Sequence, residues 1–340
     1  MLLFFAMVFL IPFTLLKKRT PSDNLILDSY STTCVKGVLC LYIMLHNLGL
    51  DYKGNSELAQ IICEHTGGIG VGVFFFLSAF GIIRAYQNQG NAYIKKLLLK
   101  NIPRLYIISV LINAVIYFAF LQNKIDFNIG IIKIFNLETF IDYKGLNPHG
   151  WYIVSIIVMY LMFTIVFYLF NKLKSEQKVL YAGLSLAMIA IILCNFGGLL
   201  NISGRYTRGM NCFALGCIYA IFYDKVNHFF SKHFWYSFIF IIPLYVFGLF
   251  YKEPIGGYAA CIAVVCISQK YTFKSKITHF LGKISLGIYL FLYISSLIMQ
   301  PFVNNQYLWV ISNTILIFAL SIGLYFVEIM LMRIKTKLLH

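Results

Sequence analysis

The sequence predicts an all-α fold, a polytopic membrane bundle of about eleven transmembrane helices, and three observations carry that prediction. Of its 340 residues 60% are hydrophobic and only 12% are charged, about half the charged fraction of an average soluble chain. The apolar residues fall in runs close to the roughly 20 residues that cross a hydrocarbon core of about 30 Å. The segments between the runs alternate between strongly basic and charge-balanced. The first observation excludes a soluble globular domain, and the apolar content excludes a disordered chain.

The runs follow in order along the chain. The first, residues 2–16, has no basic residue ahead of its apolar core, and Lys17, Lys18 and Arg19 come after it. That order reads as an uncleaved span with its N-terminus outside, not as a signal peptide. Residues 1–33 are therefore expected to form an extra N-terminal helix with a basic linker, ahead of a membrane domain over 34–332 and a short basic tail over 333–340. The second run, 34–50, is interrupted by Lys36, His46 and Asn47, and the third, 67–86, is rich in glycine. The fourth, 104–121, opens just after Pro103, which the first turn of a helix tolerates. Further runs cover 151–170, 179–197, 208–223, 234–250, 255–269, 281–300 and 307–332. The longest connecting segment, 122–150, has 29 residues, too short for an appended soluble domain.

The connecting segments then assign the sides. Segments 17–33, 84–104, 171–178, 224–233, 270–283 and 333–340 hold 20 basic and 4 acidic residues, whereas the alternate set holds 7 of each. Basic loops stay in the cytoplasm, so the first set is expected inside, the N-terminus outside and the C-terminus inside. Lys36 and Glu328 fall within runs and cancel, which leaves the entire net charge of +16 on the cytoplasmic face. The charge therefore reports orientation first and gives no reason to expect a nucleic-acid partner. Seven of the eight cysteines lie in or at the ends of runs, so neither a disulfide framework nor a metal site is expected.

Ionisable groups inside a bilayer cost roughly 2.5–3.5 kcal/mol on insertion scales, so each exception needs a reason. Lys36 reads either as a side chain snorkelling to the inner surface or as a site residue. His46, about 15 Å further along the same helix, reads either as a structural histidine or as a general base, since a neutral imidazole accepts a hydroxyl proton. The Gly67 to Gly81 run serves helix packing or close approach of a ligand, with Ser78 able to hydrogen-bond across helices. Arg84, Lys95, Lys96, Lys100 and Arg104 bracket a loop with no acidic residue. That loop reads as an orientation signal with anionic lipid contacts, or as a seat for phosphates. On the outer side Glu64, His65, Asn147, His149, Trp151, Tyr152, Arg205, Tyr206 and Arg208 collect. They fit an aromatic interface belt and equally a surface that binds a sugar.

Five motifs in order resemble acyltransferase family 3, integral membrane proteins that mostly O-acetylate cell-surface glycans. Lys36-Gly37 through His46-Asn47 resembles the family's first-span signature. Gly72-Val-Phe-Phe-Phe-Leu-Ser78 resembles its next span, and Tyr93 to Tyr106, with Lys100 and Arg104, its basic start to the third. Asn147-Pro-His149-Gly-Trp151-Tyr152 and Leu281-Gly-Lys-Ile-Ser285-Leu-Gly-Ile-Tyr289-Leu complete the set. The resemblance covers residues from about 28 to 332. It implies a ten-helix core, a cytoplasmic acetyl-CoA or related thioester as co-substrate, no tightly bound cofactor, and a hydroxyl of an envelope or exported glycan as acceptor. Carried over by position, His46 would be the base, Lys36 the basic motif residue, and Arg84, Lys100, Arg104 and Ser78 the donor contacts. His149, Trp151, Tyr152, Arg205 and Arg208 would face the acceptor glycan or lipid-linked saccharide. The family more often leaves ten residues between its basic residue and its histidine. Here nine separate Lys36 from His46, and Asn47 takes the usual register.

The expected function is thus a membrane O-acyltransferase of a bacterial inner membrane, the bacterial source being suggested by high Ile, Phe, Asn and Lys. The competing classes are a transporter, flippase or polymerase of lipid-linked glycans, and an acyltransferase-like protein without activity.

Overall fold

The computed structural model describes residues 16–20, 25–51, 57–137, 145–173, 175, 177–200, 209–251 and 253–338. The expected first span, 2–16, lies almost wholly outside the described residues. Its last residue opens a short strand, β1 (Leu16–Lys18), which pairs antiparallel with β2 (Tyr271–Phe273). All other elements are helices: α1 (Ser29–Asp51), α2 (Glu57–Gln89), α3 (Asn91–Leu121), α4 (Phe127–Ile134), α5 (Trp151–Asn171) and α6 (Lys178–Phe196). They continue with α7 (Met210–Ile221), α8 (Tyr223–Lys232), α9 (Phe234–Phe250), α10 (Glu253–Lys270), α11 (Lys276–Met299) and α12 (Gln306–Leu338). Ten of the eleven apolar runs coincide with helices. Among the described residues six helices are long and apolar enough to cross a membrane, and seven if the bent pair α8–α9 counts as one.

The chain forms two compact units. Unit 1 comprises 1–70 and 267–340, and unit 2 comprises 71–266. In unit 1, α11 packs against both α1 and α12. The α1–α11 contact is closed by glycines: a Cβ on Gly37 would overlap the carbonyl of Thr278, and one on Gly282 would overlap the carbonyl of Thr33. Such small residues let backbones meet where lipid leaves no hydrophobic drive between helices. Both helices start beside the β1–β2 ribbon, where Tyr30 stacks on His279 with ring centroids 4.0 Å apart.

In unit 2, α6 packs against α7 and α5, and α3 against α5. The basic segment 84–104, expected as a loop, is helical apart from one tight turn. Gly90 adopts φ +57° there, a left-handed conformation that costs glycine little, and α3 begins at the next residue. The charges do not break the helix because Lys and Arg are good helix formers. A π-helical turn, Leu97–Asn101, contains Lys100.

The 122–150 segment also differs from a simple outer loop. Asp126 caps α4 by accepting the backbone N–H of Asn128 at 2.9 Å, and α4 then doubles back along α3. Gly130 packs on the Tyr117 ring, Asn113 Nδ2 donates to the Ile134 carbonyl at 3.3 Å, and the Tyr106 hydroxyl donates to the Phe135 carbonyl at 3.0 Å. From Tyr117 to Tyr106 this descent covers about 16 Å of helix α3. Phe127, Ile129, Ile132, Phe135 and Leu137 turn outward, as expected of side chains that meet lipid. Residues 127–137 are therefore re-entrant alongside a candidate span.

Helix α8, expected as part of a cytoplasmic loop, makes a 96° bend with α9. Its Tyr223 and Asn227 are buried, while Asp224, Lys225, His228, Phe229 and Lys232 are exposed.

Candidate functional site

The signature residues of α1 and α11 meet within unit 1. His46 is half-buried, and its ring occupies the gap left by Gly67 of α2, where a Cβ would overlap it. One turn further along, a Cβ on Gly70 would lie 3.1 Å from Ile43 of the same α1 face. The glycine run therefore brings α2 onto the helix that carries the histidine. Asn47 is used differently: its Nδ2 donates to the Ile43 carbonyl at 2.7 Å, an i to i−4 bond along its own helix. Lys36 is half-buried beside Gly37 at the α1–α11 crossing. On α11, Tyr289 is buried. It stands about 10 Å past Gly282, a height comparable with that of His46, about 13 Å past Gly37. His65, on the same α2 turn as Thr66 and Gly67, has a buried Nδ1 with no hydrogen-bond partner among the described residues.

A second group of predicted residues meets within unit 2. Ser78 of α2 is buried and hydrogen-bonds the phenols of both Tyr152 and Tyr160 on α5. Tyr152 also stands edge-on to Phe75, with centroids 5.2 Å apart, and to Trp151 at 6.4 Å. Ser78 and Tyr152 are thus brought together, one expected at the donor and the other at the acceptor. The loop before α5 is shaped by Asn147, whose Oδ1 accepts the backbone N–H of His149 at 3.0 Å. That turn places His149 and Trp151 at the start of the helix. Gly150 lies close to Asn136 of the re-entrant segment, whose Oδ1 would be 3.8 Å from a Cβ there.

The predicted donor contacts are distributed over α2 and α3. The Arg84 guanidinium lies 4.5 Å above the Tyr223 ring and donates to Gln87 Oε1 at 2.9 Å. It is engaged in a cation–π contact, whereas Lys100 and Arg104 lie exposed on α3. Arg205 and Arg208, with Tyr206, lie outside the described residues.

Three polar positions escaped the sequence reading. Tyr160 shares Ser78 with Tyr152. Asn113, 2% exposed, donates to Asn136 Oδ1 at 2.9 Å, while Asn136 donates to Ser109 Oγ at 3.3 Å. Asn171 accepts from Lys178 Nζ at 3.0 Å and donates to Asn91 Oδ1 at 3.1 Å, tying the α5–α6 turn to the start of α3. A polar residue within an apolar run was the available signal at Asn113. No comparable signal marks Tyr160, one of 24 tyrosines.

Residues 29–333 match the family model described as an acyltransferase domain, the third of that name. No curated protein and no solved structure matches the chain.

Proposed function

The chain belongs to acyltransferase family 3 and is a membrane acyltransferase; from that premise we propose that it moves an acetyl group from cytoplasmic acetyl-CoA to a hydroxyl of an envelope or exported glycan, with His46 as general base. The observation that carries the assignment of the base is the contrast between two neighbours. The His46 ring fills the Gly67 gap, whereas the Asn47 amide is bonded back to its own helix. Asn is in any case no base, so the shifted register leaves the chemistry with the imidazole.

In the proposed reaction the His46 imidazole takes the proton of the acceptor hydroxyl as its oxygen attacks the thioester carbonyl. The tetrahedral intermediate then collapses, the carbon–sulfur bond breaks, and the imidazolium returns its proton to the leaving thiolate. Acetyl-CoA acts as co-substrate. Lys36, on the same helix nearer the proposed cytoplasmic side, adds positive charge along the donor's path. Lys100 and Arg104 on α3, with Arg84 and Ser78 on α2, are the donor contacts in this reading. His149, Trp151 and Tyr152, with Arg205 and Arg208, make the acceptor surface, where apolar sugar faces pack on aromatic rings. The loop charges support a multi-pass placement in the cytoplasmic membrane with the N-terminus outside and the C-terminus inside.

The test compares two substitutions. His46→Ala should abolish alkali-labile acetyl on the host's surface glycan at unchanged protein level, and Asn47→Ala should leave most of it. Retained acetylation in the His46 variant would remove the assignment.

A further inference from the structure

Strand β1 precedes the acyltransferase domain, which begins at residue 29, yet it is joined to that domain by β2. Lys17 lies opposite Thr272 and Lys18 opposite Tyr271. Arg19 extends the junction: its backbone N–H donates to the Lys270 carbonyl at 2.8 Å, and its guanidinium donates to the Ser268 carbonyl at 3.0 Å. The pairing gathers Lys17, Lys18 and Arg19 beside Lys270, Lys274 and Lys276. No acidic residue occurs in 16–20 or in 267–276.

Two further features sharpen this concentration of charge. Lys17, Lys18 and Lys276 are exposed. Helix α11 begins at the same place, with no acidic residue in its first turn and no side-chain cap from Ser275, so its positive end adds to the field. The neighbouring start of α1 is treated in the opposite way, because the Asp28 carboxylate accepts the Ser31 N–H at 2.6 Å. Three exposed cations along one ribbon, Lys17, Lys18 and Lys276, raise the local potential, and an anion relieves it.

We propose that this ribbon is a phosphate-binding site, and that the phosphates are those of the nucleotide portion of the acyl donor. The inference rests on the function proposed above and adds to it a site that none of the family motifs contains. Its position supports the choice of ligand: the ribbon stands at the shared start of α1 and α11, the pair that carries Lys36 and His46. A donor held there by its phosphates has its acyl arm directed along that pair. Anionic lipid headgroups offer the same phosphate chemistry, and the experiment separates the two sources.

The full-length protein in nanodiscs of phosphatidylcholine is titrated with coenzyme A, alongside the triple variant Lys17→Gln/Lys18→Gln/Lys276→Gln. The variant should bind about tenfold more weakly at low salt, and the difference should shrink as salt is added. The corresponding triple arginine variant should keep wild-type affinity, which separates lost charge from lost folding. Unchanged coenzyme A binding in the glutamine variant overturns the ribbon site while leaving the acyltransferase reading intact. The same holds if the only change is a lost preference for nanodiscs containing phosphatidylglycerol, which assigns the patch to lipid. If the wild type shows no saturable coenzyme A binding, the proposed donor fails and the ribbon's role falls with it.

Discussion

At Gly67 a single methyl group would overlap the His46 ring, so Gly67→Ala must displace one or the other. Overpacking of this kind costs about 1–3 kcal/mol when side chains can shift. The ring can rotate away more easily than α2 can move. We therefore expect acyl transfer to fall at least about tenfold, because a base must stay within hydrogen-bond reach of its proton, while the thermal midpoint drops only modestly. Release of free thiol from acetyl-CoA, read beside a melting curve in detergent, checks this; a large loss of stability with proportionate loss of activity would make Gly67 a packing residue only. The sequence showed the histidine and the glycines but not their contact, since no spacing rule connects positions on two different helices. The role of Asn47 was equally hidden, because a backbone bond to Ile43 depends on a rotamer.

Helix positions were the most legible feature, since a run of apolar residues in this chain has little alternative to a helix. What joins the helices was less legible. By its charge the 84–104 stretch reads as a loop, yet the helix continues through it after the Gly90 turn. The α4 segment was hidden for a different reason: its eight residues are too few for a span, and its descent along α3 depends on Asn113, Asn136 and Tyr106 bonding to distant partners. At the α1–α11 crossing the glycines face backbone carbonyls, which cannot swing aside as a side chain does. Gly37→Ala and Gly282→Ala should each destabilise the protein by about 2–3 kcal/mol. Gly81→Ala, with nothing among the described residues within 4 Å of the added carbon, should be neutral or slightly stabilising. Melting temperatures in one detergent rank the three, and equal effects would contradict the tight crossing.

For the molecule as a whole, the loop charges assign every connecting segment to one of two sides; several contacts link segments of one set, while the α4 segment of the balanced set reaches Tyr106, two residues from the basic 84–104 segment. The ribbon joins two segments from the basic set, 17–33 and 270–283. Asn171 bonds Asn91 and Lys178, again within the basic set, and Asn211 Nδ2 donates to the Tyr258 hydroxyl at 2.8 Å near two segments of the balanced set. Single cysteines at Lys17, Asn88 and Lys276 should therefore react with an impermeant maleimide from the cytoplasmic side, and one at Asn123 from the other. Labelling of positions 17 and 123 from the same side would refute the sorting. The ribbon, finally, sets a timetable. The Thr272 hydroxyl and the Lys17 carbonyl that it bonds are 255 residues apart, and synthesis proceeds at roughly 5–20 residues per second. During translation β1 and α1 must therefore wait about 10–50 s for β2 and α11 to emerge. Throughout that interval the histidine-bearing helix is held without its final neighbour, so unit 1 is completed last although its first half is made first.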